Sequence, residues 1–160
     1  GGIALRDSSR GLRYQVWSAR REEGVIYLSA PNTPEFEILR GDLISEISFT
    51  FDQNMRLVLA YVDDGVAKMR WYNTASEQDE LTILGADVIT PRVALDDKRE
   101  SQLSISDVVL MYVRGDAIYH RLQRDRYDTE YLTQKEGGAA GLVKIGMMRN
   151  MRFGWMVAGS

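Results

Sequence analysis

A single histidine, His120, is the side chain best suited to proton transfer near neutral pH. It lies in the segment Tyr119-His120-Arg121, and no serine or cysteine motif stands near it. A catalytic histidine needs a nucleophile within reach and a third group that orients it. Because neither is found beside it, we interpret His120 as a strand residue facing solvent or the edge of the core. We therefore expect no enzymatic activity.

Carboxylates occur in adjacent pairs at Asp63-Asp64 and Asp96-Asp97, where calcium would in principle find oxygen ligands. Neither pair has the alternating ligand spacing of a calcium loop, and aspartate is also typical of tight turns. We predict turns at both pairs, with no metal ion and no cofactor. A glycosidase needs two carboxylates that face each other across a cleft. The acidic pairs of this chain fall in separate repeat units, so an oligosaccharide-cleaving enzyme is kept only as the least favoured function.

Aromatic side chains are the third group that can do chemistry, by stacking on sugars or by anchoring a protein interface. They bring a large contact area at low entropic cost, and Tyr and Trp add a polar group. Most are expected in the core, as for Tyr61 and Tyr112, which occupy equivalent places in a sequence repeat. The candidates for an interface or a ligand contact are Trp17, Trp71, Tyr72, Tyr127, Tyr131, Phe153 and Trp155.

The composition is typical of a soluble globular protein, with 44% hydrophobic and 27% charged residues. The 20 basic and 23 acidic residues give a formal charge of -3, so we expect no nucleic-acid partner and no anionic membrane surface. The absence of cysteine excludes disulfides and fits a reducing compartment. No apolar run approaches the roughly 20 residues of a membrane-spanning helix, and no secretory signal segment is recognisable.

The elements that position these residues are clearest in residues 54–84, which contain three strand-like runs separated by turn signals. In residues 57–62, the odd and the even positions, which point to opposite faces of a strand, all carry apolar or small side chains. This is the pattern of a strand covered on both faces. Asp63-Asp64-Gly65 predicts a tight turn, because glycine adopts a positive φ at little cost. The chain returns over residues 66–72 and runs out again over residues 80–84. This pattern predicts an antiparallel meander.

The meander recurs along the chain. Its turn glycines, Gly24, Gly65 and Gly115, are 41 and 50 residues apart, a period typical of four-stranded units. Gly65 and Gly115 are expected in equivalent turns with positive φ. The units are predicted over residues 1–41, 44–85 and 88–133, with a linker over residues 135–141 and a closing hairpin over residues 142–157. The residues expected in well-covered inner strands are Val58, Leu59, Tyr61, Val109, Leu110 and Tyr112.

The hairpin restarts the repeat, since Asn54-Met55-Arg56 recurs as Asn150-Met151-Arg152. We therefore predict a single all-β domain over residues 1–160, with about three four-stranded antiparallel meanders and a C-terminal hairpin, similar to a β-propeller. Because three and a half units cannot close a ring alone, the hairpin is expected to pair with the unit begun at Ile3. Docking on a neighbouring subunit is the second possibility. A β-trefoil is the alternative fold, and it leaves the hairpin unused.

Part of the sequence resembles a known class of proteins. The segments PRVALDDKR (residues 91–99), DVVLMYVRG (107–115) and RLQRDRY (121–127) resemble repeats in tail and head-to-tail structural proteins of tailed bacteriophages, in which propeller-like meanders build tail hubs, nozzles and tips. The resemblance is one of pattern and covers mainly residues 47–133. It implies a virion component without catalytic residues.

Two function classes follow from the sequence. The first is a non-enzymatic structural or adsorption component of a phage virion, in the tail, tail tip or head-to-tail region. Its partners are then other virion proteins or copies of itself, and it is located in the virion after assembly in the host cytoplasm. The second is a carbohydrate-binding β-repeat lectin that binds a host surface glycan through its Trp and Tyr residues. A soluble cytoplasmic location is the alternative.

Overall fold

The computed structural model of the chain describes residues 2–7, 13–96, 106–148 and 152–159. Nearly all regular structure within them is β, which confirms the predicted all-β class. The strands form three consecutive four-stranded antiparallel meanders, followed by a two-stranded hairpin. One turn of 3-10 helix spans Gln123–Asp125.

Each sheet is built from strands that follow one another in the chain. The first sheet contains β1 (Gly2–Asp7), β2 (Arg13–Glu22), β3 (Val25–Ala30) and β4 (Thr33–Arg40). The second contains β5 (Ile44–Phe51), β6 (Leu57–Asp63), β7 (Val66–Asn73) and β8 (Gln78–Gly85). The third contains β9 (Val88–Asp96), β10 (Asp107–Arg114), β11 (Ala117–Leu122) and β12 (Tyr131–Gln134). The terminal hairpin consists of β13 (Leu142–Met147) and β14 (Phe153–Val157).

The three central turns have the predicted glycine in the left-handed region. The φ angles of Gly24, Gly65 and Gly115 are 77°, 75° and 65°. The turn at Gly65 is a two-residue hairpin loop, because Asp63 pairs directly with Val66. The prediction for Gly65 and Gly115 is therefore confirmed, and the repeat has a structural counterpart.

Replacing Gly65 with alanine is expected to lower the free energy of unfolding by about 1 kcal/mol, because a left-handed backbone costs an L-residue about this much. A Cβ atom at Gly65 meets no atom within 4 Å, so the loss reports backbone strain without a clash. Urea denaturation measures it. Gly65→Asn is the matched control, because asparagine tolerates this conformation and should cost less. Equal losses for both variants would contradict the assignment to backbone strain.

A hydrophobic core lies between the second and third sheets. It contains Val58, Ala60, Val62, Ala67, Met69, Trp71 and Leu84 from the second sheet and Val88, Val93, Val108, Leu110, Tyr112 and Tyr127 from the third sheet and the loop between β11 and β12. The six residues predicted for well-covered strands are all buried, and none is more than 6% exposed. That prediction is confirmed, since strands that are apolar on both parities need cover on both faces.

The contacts of the chain divide it into two compact units, Gly1–Ile44 and Ser45–Ser160. The first unit contains the first sheet, with Val25, Ile26, Leu28 and Leu39 buried. The second unit contains the core described above and the terminal hairpin. The prediction of one domain over residues 1–160 stays a prediction.

The terminal hairpin packs on the third sheet. Its residues Leu142, Ile145, Phe153 and Val157 contact a cluster formed by Val109, Met111, Val113, Ile118 and Leu122. Strand β13 lies against β9, where the backbone N–H of Leu142 donates a hydrogen bond to Thr90 Oγ1 over 2.8 Å. The apolar surface of the tail is thus partly covered within the chain.

The expected packing of the hairpin against the unit begun at Ile3 stays a prediction. In the described part of the chain, β13 and β14 pair with each other, and β1 pairs with β2. The units therefore do not close a propeller ring, because the last described sheet has two strands instead of four. A β-trefoil needs strand pairing between repeats, whereas each meander here forms a sheet of its own.

The predicted linker over residues 135–141 is held in place by the third sheet. The N–H of Gly138 donates to the Asp116 carbonyl over 2.8 Å, and the N–H of Ala139 donates to the Asp116 carboxylate over 3.2 Å. A Cβ atom at Gly138 would lie 2.8 Å from Ile118, so glycine is needed here for close packing. Composition alone predicted a linker here, and these hydrogen bonds show that the segment is attached to the third sheet.

No helix among the described residues has the length and apolarity to cross a membrane.

Candidate functional site

One face of the third sheet is covered by a hairpin of two strands. This face, called the half-covered face below, carries Val109, Met111, Val113, Ile118, His120, Leu122 and Tyr131. Burial falls along the cross-strand row of Met111, His120 and Tyr131. Met111 is 1% exposed, His120 is half-buried and Tyr131 is 40% exposed. The hairpin thus covers the side of β9 and β10 and leaves the outer strands β11 and β12 open.

His120 and Tyr131 form a stacked aromatic pair on the open part of this face. Their ring centroids are 5.0 Å apart and their planes differ by 19°. His120 Nδ1 shares a hydrogen bond with Thr133 Oγ1 over 2.6 Å, and the Tyr131 hydroxyl donates to Asp125 Oδ2 over 3.2 Å. Burial lowers the pKa of His120, against the opposing effect of the Asp125 charge. His120 is therefore mainly an uncharged aromatic ring at neutral pH.

Trp155 connects the hairpin to the outer strand β12. Its Nε1–H donates to Gln134 Oε1 over 3.3 Å, while the side chain remains 41% exposed. Phe153, on the same strand, packs against the apolar cluster between the hairpin and the third sheet. Three of the sequence candidates, Tyr131, Phe153 and Trp155, therefore belong to one surface. His120 and Gln134 complete it, and only the strand register, which pairs His120 with Tyr131, places His120 there.

Two candidates lie in the core. Trp71 and Tyr127 are 6% and 1% exposed, and they meet edge to face with centroids 5.1 Å apart. The Trp71 Nε1–H donates to Thr82 Oγ1 over 3.0 Å. These two residues pack the sheets together, so their prediction as surface contacts is corrected.

The remaining two candidates, Tyr72 and Trp17, each contact another side chain. The guanidinium of Arg56 stands 3.9 Å from the centroid of the Tyr72 ring, which occupies that face of the ring. Trp17 belongs to the first unit, where it meets Phe36 edge to face at 6.2 Å.

A polar network, which the sequence did not reveal, surrounds Tyr112. Its hydroxyl donates to the Glu130 carboxylate and accepts a bond of 2.9 Å from Arg121 Nε. Arg114 Nη1 donates to both Glu130 oxygens, over 2.7 and 3.0 Å. Burial and the hydrogen bond to Glu130 raise the pKa of Tyr112 to about 12. The members hold one another in place, as expected for a structural network.

Glu130 should make stability depend on pH. Burial alone would raise its pKa, but the hydrogen bonds from Tyr112 and Arg114 and the nearby positive charges outweigh burial and lower it below 4.5. The ionised carboxylate thus stabilises the fold above pH 4.5, and this contribution is lost as pH falls through the lowered pKa of the folded state. Glu130→Gln is expected to reduce the free energy of unfolding most at neutral pH.

Urea denaturation of the wild type and Glu130→Gln at neutral and acidic pH measures the difference between them. The exposed Glu136→Gln substitution is the control and should leave stability unchanged at both values. If the free energy of unfolding of Glu130→Gln differs from that of the wild type by the same amount at neutral and acidic pH, the charge of Glu130 has no role in stability.

A second buried hydroxyl, that of Tyr127, has no hydrogen-bond partner among the described residues. Burial and the negative charges of Asp52 and Asp107 raise its pKa. Because an unpaired buried hydroxyl is costly, Tyr127→Phe is expected to raise the free energy of unfolding by about 1 kcal/mol. Tyr112→Phe should lower it, since that hydroxyl is paired. Thermal unfolding compares the two variants, and a loss of stability in Tyr127→Phe would refute the prediction.

The acidic pairs do not form a metal site in the described part of the chain. Asp63 and Asp64 lie in the turn before Gly65, as predicted. Asp96 ends β9 and is paired with Asp107 across the strands, whereas Asp97 lies outside the described residues. No group of three or more His, Asp or Glu side chains among the described residues is arranged to hold a metal ion.

Comparisons with protein-family models, with curated proteins and with solved structures found no match to this chain.

Proposed function

We propose that the protein is a non-enzymatic component that docks onto other proteins through the half-covered face. The observation that carries the proposal is the exposure of Tyr131 and Trp155 beside the apolar cluster under the hairpin. Exposed aromatic residues next to a buried apolar centre are typical of interface anchors.

The outer face of the hairpin supports the same proposal. Val143 on β13, Met156 on β14 and Met148 directly after β13 are each about half exposed. Apolar side chains gathered on one small element mark an interaction surface more often than the same number scattered singly. An adaptable residue such as methionine also suits a contact with a partner of irregular shape.

The setting that we propose is a bacteriophage virion, in the tail, tail tip or head-to-tail region. This part of the proposal rests on the pattern of residues 91–99, 107–115 and 121–127, which resembles that of phage structural proteins. The partners are then other virion proteins or further copies of the chain, and the protein acts by position instead of by catalysis.

Binding of a glycan is the second candidate function. Tyr131 and Trp155 offer aromatic surface, and Gln134, Asp125 and His120 place polar groups beside it. Aromatic surface with adjacent hydrogen-bonding groups can hold a sugar ring. The polar groups already bond within the protein, so a sugar would compete with these bonds, which is why docking on proteins is preferred.

Native mass spectrometry of the full chain, alone and mixed with purified virion structural proteins, tests the proposal. We expect a complex that is lost in the double variant Tyr131→Ala/Trp155→Ala. The control is Leu81→Ala/Ile83→Ala, which removes two exposed apolar residues from β8 and should leave the complex intact. A glycan screen runs in parallel. Glycan binding that needs Trp155, without any protein complex, would replace docking by the second candidate.

A further inference from the structure

An irregularity in strand β12 changes the face on which one of its side chains lies. Tyr119 pairs with Leu132 in the ladder between β11 and β12. The next pair of a regular antiparallel ladder would be Ile118 with Thr133. Ile118 pairs with Gln134 instead, so Thr133 is the extra residue of a bulge. Gln134 therefore shares the face of Ile118, which belongs to the half-covered face.

Both residues at the bulge use their side chains on this face. Thr133 Oγ1 bonds to His120 Nδ1 over 2.6 Å, and Gln134 Oε1 accepts a bond from Trp155 Nε1–H over 3.3 Å. Neighbouring residues of a regular strand point to opposite faces, whereas a bulge re-aims a side chain. Two adjacent residues thereby bond to two aromatic rings of one surface, His120, which stacks on Tyr131, and Trp155.

The side-chain amide of Gln134 is bonded at both ends. Its Nε2 donates to the Glu136 carbonyl over 2.6 Å, while its Oε1 accepts from the indole of Trp155. An indole N–H can only donate, and a backbone carbonyl can only accept. A single orientation of the amide therefore satisfies both partners, since turning it over would place donor against donor and acceptor against acceptor.

The backbone that holds this amide is attached to the third sheet. Gly137, directly after Glu136, has a φ of 89°, and a Cβ atom there would lie 3.1 Å from Gln134 Nε2. The N–H of Gly138 donates to the Asp116 carbonyl, in the turn between β10 and β11. The Glu136 carbonyl thus lies between two attached residues, Gln134 in the strand and Gly138 at the turn.

We propose that Gln134 is a positioning residue, which holds the exposed ring of Trp155 in the orientation that docking requires. A partner that meets a ring already held does not have to immobilise it, so less conformational entropy is lost on binding. Supporting hydrogen bonds of this kind keep the residues of a binding site in the geometry that binding needs. The inference rests on the proposed docking function and adds to it a residue that acts through Trp155.

The probe is the indole N–H of Trp155 in the two-dimensional proton–nitrogen NMR spectrum of the full chain. The chain has three tryptophans, and Trp155→Phe identifies the resonance by its loss. Gln134→Met keeps the length of the side chain and removes both hydrogen bonds. We expect the Trp155 indole proton to exchange with solvent about three- to tenfold faster in this variant. The Trp71 indole, which bonds to Thr82 in the core, is the internal reference and should keep its rate.

Two further variants are compared with Gln134→Met. Gln78→Met is the matched control, because it makes the same substitution at an exposed position of the edge strand β8, and it should leave the Trp155 indole unchanged. Gln134→Glu still offers the indole an acceptor at neutral pH but has no donor for the Glu136 carbonyl. The Trp155 indole proton of Gln134→Glu should exchange at an intermediate rate.

The effect on docking is measured by titrating the variants with the virion structural proteins and following the complex by native mass spectrometry. Gln134→Met is expected to weaken the complex by about two- to tenfold, whereas Gln78→Met should not. Urea denaturation distinguishes positioning from a loss of folding, because the free energy of unfolding of Gln134→Met should stay close to that of the wild type.

An unchanged exchange rate of the Trp155 indole in Gln134→Met would overturn the positioning role. Faster exchange without any weakening of the complex would overturn it as well. Failure of the docking function is distinguishable from both, because it means that no complex of the wild-type chain depends on Tyr131 and Trp155. The indole exchange rates are measured without a partner, so they report on Gln134 in either case.

Discussion

A chain that ends before Leu142 is expected to aggregate or to lose several kcal/mol of stability. The truncation uncovers Val109, Met111, Val113 and Ile118, none of which is more than 6% exposed in the intact protein. Exposing a few hundred Å² of apolar surface at about 25 cal/mol per Å² costs several kcal/mol. The truncation also removes the hydrogen bond between Leu142 and Thr90.

Size-exclusion chromatography and urea denaturation measure this outcome. Removal of residues 158–160 alone is the control, because it leaves both hairpin strands in place. Were the hairpin only a docking element for a neighbour, the truncated chain would instead stay folded and fail only to assemble. A truncated protein that is stable, monomeric and able to assemble would contradict both roles.

Trp71→Ala is expected to lower the free energy of unfolding by about 3 to 5 kcal/mol, the usual cost of emptying a buried tryptophan site. The substitution removes the edge-to-face contact with Tyr127 and leaves Thr82 without the hydrogen bond from the indole. It opens a cavity between the second and third sheets, where the surrounding strands cannot collapse without losing register.

Trp155→Ala is the matched comparison, since Trp155 is 41% exposed and its indole bonds only to Gln134 in the described contacts. It should cost about 1 kcal/mol or less and weaken partner binding instead. Chemical denaturation and native mass spectrometry are applied to both variants. A similar loss of stability in the two would show that the division into a core and a surface tryptophan is wrong.

The strands and turns of this protein could be predicted from the sequence because their signals are local. The apolar run of residues 57–62 required a covered strand, and Asp64-Gly65 required a turn with positive φ. Both features recur at residues 108–115. The four-stranded meanders follow from this recurrence, since each turn joins neighbours in the chain.

The candidate site could be predicted only in part, because burial depends on contacts between distant segments. Trp71 and Trp155 are similar as residues in strands, but a sheet covers the first, whereas the second lies on a hairpin with an open edge. The sequence offers no catalytic partner for His120, and only the pairing of His120 with Tyr131 across the strands places it on the half-covered face.

The sequence by itself determined the all-β class, the positions of the turns and the order of the strands, because hydrophobic alternation and glycine conformations act over a few residues. Only the tertiary structure decided that the hairpin packs on the third sheet, that Gly138 is fixed against Ile118 and that Tyr131 stays exposed. These outcomes depend on which apolar faces meet, and the hydrophobic effect that brings faces together has no direction of its own.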